Sequence, residues 1–209
     1  MQVNSIFRSI SGEVGTIPQG AVTWFIRMQG CSLNCAWCDT GYAQGFDIGH
    51  KLIPSQIAEQ IPEQSNVVIT GGEPLEQDAA ELSDLVSLLI VKGCSTQIET
   101  NGTVPPFLPI CHVFDYKTPS SGKVKEMMAD KYFGMGPEDS WVKFVVKDER
   151  DLEFSIGKIL QARWPVRWAL SVPNGYAVQE SIKYIEKRCS WLLPHIVFNF
   201  QLHKTFELP

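Results

Sequence analysis

No apolar run in the sequence approaches the roughly 18–20 residues that a membrane-spanning helix needs, which excludes a helical membrane protein. Positive charge is in deficit: 18 Lys and Arg stand against 23 Asp and Glu, a net charge of −5. A general nucleic-acid binder presents a basic surface, so DNA and RNA are poor direct partners. Short basic clusters such as HKLI and SSGKVK do not reverse that balance. Cysteine is sparse, with 6 in 209 residues, too few for a disulfide scaffold and better suited to metal binding or catalysis in a reducing compartment. Internal repeats, low-complexity tracts and linkers are missing too. The opening residues, MQVNSIFRSISGE, lack the basic, apolar, small-residue plan of a secretory signal, so a cytoplasmic location is expected. What remains is an ordinary globular profile, 44% apolar and 20% charged. One domain over residues 1–209 is expected at this length.

The hydrophobic pattern alternates between two periods. Strands are expected at Ala21–Met28, Val67–Thr70, Thr96–Thr100, Cys111–Tyr116, Trp141–Val146, Arg167–Val172 and His195–Gln201. Helices are expected at Gln56–Glu63, Ala79–Lys92, Asp151–Arg163 and Val178–Arg188, with Gly93 as the stop after the second. Strands spaced by helices imply a mainly parallel α/β sheet or barrel. Thr118–Asp139 breaks the rhythm and reads as a long loop with at most a short helix, a type of segment that is often functional.

The strongest chemical signal is Cys31-Ser-Leu-Asn-Cys35-Ala-Trp-Cys38-Asp39-Thr40, just after an expected strand and a glycine. Three thiolates this close in a loop can converge on one metal centre. Structural zinc sites and ferredoxin-type 4Fe–4S clusters each want four ligands, and only three stand together here. Cys94, Cys111 and Cys189 lie on or beside regular elements far along the chain. Three readings are open at this point: three buried thiols, a zinc site completed by a distant Cys or His, and a cluster with one iron free to bind a small molecule. About 30 residues on, Thr70-Gly71-Gly72-Glu73-Pro74 ends the second expected strand. Its glycines allow backbone to approach a ligand closely; alone it would be an ordinary turn.

Together, the C-x3-C-x2-C loop with aromatic Trp37 and the GGEP turn resemble the radical S-adenosylmethionine (SAM) superfamily. That resemblance implies a full or partial (β/α)6 TIM-like barrel, here with an extra C-terminal strand. It implies a 4Fe–4S cluster on Cys31, Cys35 and Cys38. The open iron is chelated by SAM, and reductive cleavage of SAM yields a 5′-deoxyadenosyl radical.

Resemblance to one family within that superfamily, the 7-carboxy-7-deazaguanine synthases, runs over nearly the whole chain. It is carried by Ile6-Phe7-Arg8-Ser9-Ile10-Ser11-Gly12-Glu13, by Phe25-Ile26-Arg27-Met28-Gln29-Gly30-Cys31 and by Cys38-Asp39-Thr40. TGGEP, Ile98-Glu99-Thr100-Asn101-Gly102, Asp115-Tyr116-Lys117 and Trp141-Val142-Lys143-Phe144-Val145-Val146 continue it. The tail Gln201-Leu202-His203-Lys204-Thr205-Phe206-Glu207-Leu208-Pro209 completes it. The family's reaction is ring contraction of 6-carboxy-5,6,7,8-tetrahydropterin to 7-carboxy-7-deazaguanine with loss of ammonia, in 7-deazapurine and queuosine biosynthesis. Hydrogen is taken from C6, magnesium assists, and SAM is regenerated.

For the substrate, the resemblance implies contacts from Ile10, Ser11, Gly12, Glu13, Arg27, Thr70, Glu99, Asn101, His203 and the terminal carboxylate of Pro209. Arg27, four residues before the first cysteine, would hold the pterin carboxylate, since an arginine fork matches a carboxylate bidentately. Glu13 and Glu99 would accept from the guanine-like edge, as acidic side chains do from base amino groups. For SAM, it implies Ala36, Trp37, Cys38 and Asp39, then Gly72 and Glu73, then Asp115, Tyr116 and Lys117, then Ser171, Val172, Pro173 and Asn174. Thr40 would be the magnesium ligand, consistent with that ion's taste for oxygen. A homodimer and a flavodoxin-like or other reductant are implied as partners. Ser11 and Val14 depart from the family's Gln and Gly at those positions. Among bland readings, Asn101 could serve only its turn, Glu99 a cap, and Trp37 packing. Two rivals stand beside the main reading. A glycyl-radical-enzyme activase shares the cysteine triad but needs no pterin clamp; an iron–sulfur carrier or zinc module would need a fourth strong ligand near the triad.

Overall fold

The computed structural model describes residues 1–127, 136–162, 166–172, 178–202 and 206–208. Among these, nine strands form one sheet. In chain order they are β1 (Gln2–Ile10), β2 (Val22–Met28), β3 (His50–Lys51), β4 (Asn66–Gly71), β5 (Ser95–Thr100), β6 (Cys111–Tyr116), β7 (Trp141–Val145), β8 (Arg167–Ser171) and β9 (Ile196–Asn199). Their spatial order is β3-β1-β2-β4-β5-β6-β7-β8-β9. Pairings from β2 onward are parallel, while β1 joins β2 and β3 antiparallel. The architecture is the expected partial (β/α)6 barrel: β2 and β4–β8 are its six parallel strands and β9 is the addition.

Four helices, α1 (Pro54–Glu59), α2 (Ala79–Val91), α3 (Glu149–Gln161) and α4 (Val178–Cys189), complete the described regular elements beside short 3-10 turns. In α2, Leu82, Leu85, Val86 and Leu89 are buried, which is the i, i+3, i+4, i+7 stripe of one helix face. Asp78 caps it by accepting from the N–H groups of Ala80 and Glu81 at 3.0 and 2.9 Å. The sequence reading places these helices within a few residues, the largest shift being at α1, which ends four residues early. It gives β1 no assignment, although QVNSIFRSI pairs along its length with β2. No helix links β5 to β6 among the described residues; Pro105, Pro106 and Pro109 in that connection remove N–H donors and fix φ. Within Thr118–Asp139 the described part holds two 3-10 turns, Pro119–Ser121 and Val124–Glu126; residues 128–135 lie outside the description. None of the described helices is long and apolar enough to cross a membrane.

Two apolar layers cover the outside of the sheet. One packs α1 and α2 on β2, β4 and β5 through residues such as Ile26, Ile69, Leu85 and Ile98. The other packs α3 and α4 on β6–β9 through Tyr116, Phe144, Ile156, Leu170 and Ile185. The inner face differs. Strand alternation turns Gln97, Glu99, Asp115, Lys143 and Ser171 away from these layers. The segment between β1 and β2 fills part of this interior. Val14 packs on Cys111, Val113 and Ala169, the Ile17 N–H donates to Gln97 Oε1 at 3.0 Å, and Gln19 Nε2 donates to Asn199 Oδ1 at 2.8 Å. The cavity that remains lies toward the C-terminal strand ends, where barrels of this kind place ligands.

Asp151, fully buried, ties two loops of that rim to α3. Its carboxylate accepts from the Ser120 N–H at 2.9 Å and from the Lys147 N–H at 3.1 Å. Two hydrogen bonds to a carboxylate contribute about 3 kcal/mol or more together, whereas an exposed cap contributes about 1 kcal/mol. Asp151→Ala should therefore lower Tm by roughly 6–12 °C and Asp78→Ala by roughly 2–4 °C, at about 2–4 °C per kcal/mol for this length. Thermal unfolding of both variants checks the ranking.

Candidate active site

The loop after β2 is pinned by backbone on several sides. Gly30 and Cys31 donate to the carbonyls of Ala43 and Gln44 at 2.8 and 3.0 Å, and Glu73 N–H donates to the Gly30 carbonyl at 2.7 Å. Ala36 N–H reaches the Ser121 carbonyl at 3.1 Å. Ser32 bonds Glu76 through both its N–H and its hydroxyl. The glycines of GGEP exist for these contacts. A Cβ on Gly72 would lie 2.0 Å from the Gly30 carbonyl oxygen, and one on Gly71, at φ +99°, would lie 2.4 Å from Cγ of Arg27.

Cys31, Cys35 and Cys38 all open on one cavity of about 710 Å³, a size usual for small-molecule sites. All three are free thiols. Burial pushes the Cys31 thiol up to about 11, against a hydrogen bond from Leu33 that favours the thiolate. Asn101 Nδ2 lies 3.6 Å from its sulfur. The other cysteines are buried elsewhere: Cys94 just after α2, Cys111 on the inner face and Cys189 at the end of α4. No three His, Cys, Asp or Glu side chains converge on a single-ion site among the described residues. Three separate thiols on one short loop, facing a shared cavity with no fourth cysteine beside them, fit a cluster held at three corners.

Opposite the thiols the wall is charged. Lys143 Nζ lies 3.1 Å from Glu13 Oε2 and 3.4 Å from Asp115 Oδ2. Lys117 Nζ holds the other Asp115 oxygen at 3.0 Å. Burial alone would raise the Asp115 carboxyl, but Lys117 and Lys143 outweigh it and hold it at about 2. Burial alone would discharge Lys143; Glu13, Asp115 and Glu99 reverse that and raise it. Asn199 Nδ2 and Gln201 Nε2 also donate to Glu13, at 2.5 and 3.2 Å. Glu99 accepts from the Thr70 hydroxyl at 3.0 Å and is pushed up to about 7, by burial first and then by the charge of Glu13.

Of the sequence-predicted residues, Ile10, Gly12, Glu13, Arg27, Thr70, Glu99 and Asn101 line this cavity, as do Trp37, Cys38, Asp39, Thr40, Gly72, Asp115 and Lys117. Six others do not line it. Ser11 is buried, with its backbone bonded to Gly20 and Ala21. Ala36 is exposed behind the loop. Tyr116 and Val172 belong to the outer core, because alternation turns them away from their inner-facing neighbours. Ser171 supports Asn199 from beneath. Glu73 is also sealed in: its oxygens accept from Leu75 N–H, the Thr100 hydroxyl and Asn101 N–H at 2.9, 2.7 and 2.6 Å. It braces the GGEP turn on the end of β5, which leaves Gly71 and Gly72 as the parts of that turn that line the cavity. Burial pushes its carboxyl up to about 7. Asn101 lines the cavity and also closes a turn, its Oδ1 accepting from the Thr103 N–H and hydroxyl. His203, Pro209, Pro173 and Asn174 lie outside the described residues. Lys143, Asn199, Tyr42 and Lys147 carry no site role in the sequence reading. Lys143 had a signal, because a lone charge inside the apolar strand WVKFVV demands a buried partner.

Residues 25–110 match the radical SAM superfamily model. A 7-carboxy-7-deazaguanine synthase of Methanospirillum hungatei is 35% identical over 100% of this chain and 86% of its own length. That of Hyperthermus butylicus is 34% identical over 100% and 94%. The chain belongs to the 7-carboxy-7-deazaguanine synthase family. It is thereby a radical SAM lyase that works with a 4Fe–4S cluster, SAM and magnesium. The crystal structure of QueE from Escherichia coli superposes with a TM-score of 0.65 at 25% identity, covering 96% of this chain and 93% of that one. SuiB of Streptococcus suis bound to S-adenosylmethionine shares the fold alone, at TM-score 0.54 and 13% identity over 82% of this chain and 48% of that one.

If the family's cluster rests on the three cavity thiols, Cys94→Ala, Cys111→Ala and Cys189→Ala should each keep a full complement of iron after anaerobic reconstitution. Cys31→Ala, Cys35→Ala and Cys38→Ala should each lose it. Iron and sulfide content read the difference directly.

Proposed function

We propose that this cavity contracts 6-carboxy-5,6,7,8-tetrahydropterin to 7-carboxy-7-deazaguanine with loss of ammonia, feeding 7-deazapurine synthesis. The observation that supports it most is one row of side chains beside the thiols. Arg27 pairs with Thr70 in the β2–β4 register, and the Thr70 hydroxyl donates to Glu99 on β5. A cation and a carboxylate thus face one cavity two strand spacings apart, about 10 Å at the backbone. That is the scale of a bicyclic ring carrying a carboxyl group at one end and N–H donors at the other. When bound, the cluster and SAM supply one-electron chemistry and hydrogen abstraction from C6.

The chain's own residues do the rest. Arg27 grips the pterin carboxylate through two parallel hydrogen bonds. Glu99 and Glu13 accept from the N–H edge, with Asn101, His203 and the Pro209 carboxylate completing the substrate shell and Ile10, Gly12 and Thr70 shaping its wall. Thr40 would supply an oxygen to magnesium. Trp37, Cys38, Asp39, Gly72, Asp115 and Lys117 line the SAM side, with Pro173 and Asn174 beyond them. A flavodoxin-like or other one-electron reductant and a homodimeric assembly belong to the same reading.

Anaerobic turnover with the carboxy-tetrahydropterin, SAM and a chemical reductant should give a product lighter by ammonia, read by mass. SAM cleavage that needs a protein acceptor and ignores the pterin would favour the activase reading instead. A second expectation concerns pH. Glu99 carries its proton below about 7, and only the ionised carboxylate is a pure acceptor. Pterin affinity should rise between pH 6 and pH 8, and Glu99→Gln should flatten that rise. Equilibrium binding at several pH values checks both.

A further inference from the structure

The cations of the cavity wall are held in two different ways. Lys117 and Lys143 are neutralised by Asp115 and Glu13. Arg27 has no ion pair among the described residues. Its guanidinium instead lies over two rings, with its central carbon 5.2 Å from the Phe7 centroid and 5.7 Å from that of Tyr42. Phe7 is itself fixed by stacking on Phe25, with centroids 5.2 Å apart and planes 11° from parallel. Both phenylalanines come from the cross-strand pair Phe7–Phe25 of β1 and β2.

Tyr42 arrives from a different element. It lies in the 3-10 turn Gly41–Ala43, just past the cysteine loop. Its carbonyl accepts from Gln29 Nε2 at 3.3 Å, and Gln29 is fully buried. The next carbonyl accepts from Gly30 N–H at 2.8 Å. The backbone therefore fixes where the ring stands, although the side chain is 59% exposed. An exposed aromatic with its backbone anchored and a free guanidinium beneath is poorly explained by core packing.

We propose that Tyr42 is a positioning residue for substrate. With Phe7 it holds the Arg27 plane so that the guanidinium's donor edge stays free for a carboxylate, and it thereby sets the site's preference for a carboxylated pterin. The physical basis is that ring faces attract a guanidinium without consuming its N–H donors. A carboxylate partner would hold Arg27 equally well but would occupy the fork. Rings restrict the side chain before the ligand arrives, so less freedom is lost on binding. The inference rests on the substrate reading above and adds to it the residue that readies the clamp.

The test uses anaerobically reconstituted enzyme and two probes, 6-carboxy-5,6,7,8-tetrahydropterin and tetrahydropterin without the carboxyl group. Tyr42→Ala should bind the first about tenfold more weakly, about 1.4 kcal/mol, and the second with unchanged affinity. Tyr42→Phe should stay within about twofold of the parent for both, since a phenyl face also attracts the cation. Iron content and circular dichroism should match the parent in both variants, because the side chain is largely exposed. Equal weakening toward both probes would make Tyr42 a wall of the pocket and overturn the clamp. Unchanged affinity of Tyr42→Ala for the carboxylated pterin would overturn it as well. A parent enzyme that binds neither probe would overturn the substrate reading, and this inference with it.

Discussion

The charge of Lys143, buried at the mouth of the barrel, is the constraint around which the site is arranged. An ammonium removed from water is costly unless anions and hydrogen bonds surround it. Here Glu13 and Asp115 do so from opposite sides, at 3.1 and 3.4 Å. Glu13 comes from the segment that enters the interior after β1, and Asp115 from the end of β6. One cation thus fixes where an inserted loop meets the strand ends. Asn199 and Gln201 then add donors to Glu13 from β9 and beyond, which links the added strand to the same centre. With Lys143 and Lys117 both committed to Asp115 and Glu13, their charge is compensated within the protein, whereas Arg27 and Lys147, which also line the cavity, have no ion pair among the described residues.

Across the cavity a different constraint operates, the close approach of two backbones. The GGEP turn and the cysteine loop touch through Gly72 against the Gly30 carbonyl, a contact that no side chain could share. Glu73 fastens the turn from below by accepting two donors at the end of β5 and one, Leu75 N–H, within the turn. The loop bearing the thiols therefore rests on backbone hydrogen bonds and on a buried carboxylate. Its position depends little on the thiols themselves.

Aromatic side chains serve the site differently from acidic ones. Trp37 has Lys117 and Lys147 at 5.6 and 5.3 Å from its ring and bonds Ser120 through its indole nitrogen. It therefore joins the cysteine loop to the connections that follow β6 and β7. Phe7 and Tyr42 do the same for Arg27. Acidic partners neutralise a cation and consume its donors, whereas rings orient it and leave the donors available. Both devices occur on one wall: Lys117 has an acidic partner as well as a ring, whereas Arg27 has rings and no ion pair among the described residues.

The order of strands and helices, the cysteine triad, the GGEP turn and the family were legible in the sequence, because each rests on local spacing: alternation of two, a helical stripe such as Leu82–Leu85–Val86–Leu89, and ligands within one short loop. The same locality explains what it could not supply. Motif membership treats Asp115, Tyr116 and Lys117 alike, but the pleat sends Tyr116 into the outer core and its neighbours into the cavity. Glu73 belongs to the most recognisable turn in the chain, yet its carboxylate is turned inward by donors from Thr100 and Asn101, which are distant in sequence. Pairing of Lys143 with Glu13 joins residues 130 positions apart, and the sandwich of Arg27 draws on two elements besides its own. Local physics determined which elements form and where a cluster loop lies. Only the assembly of the strands into one sheet, by bringing the inner faces and strand ends together, decided which polar side chains share one cavity and which cations are paired with acids there.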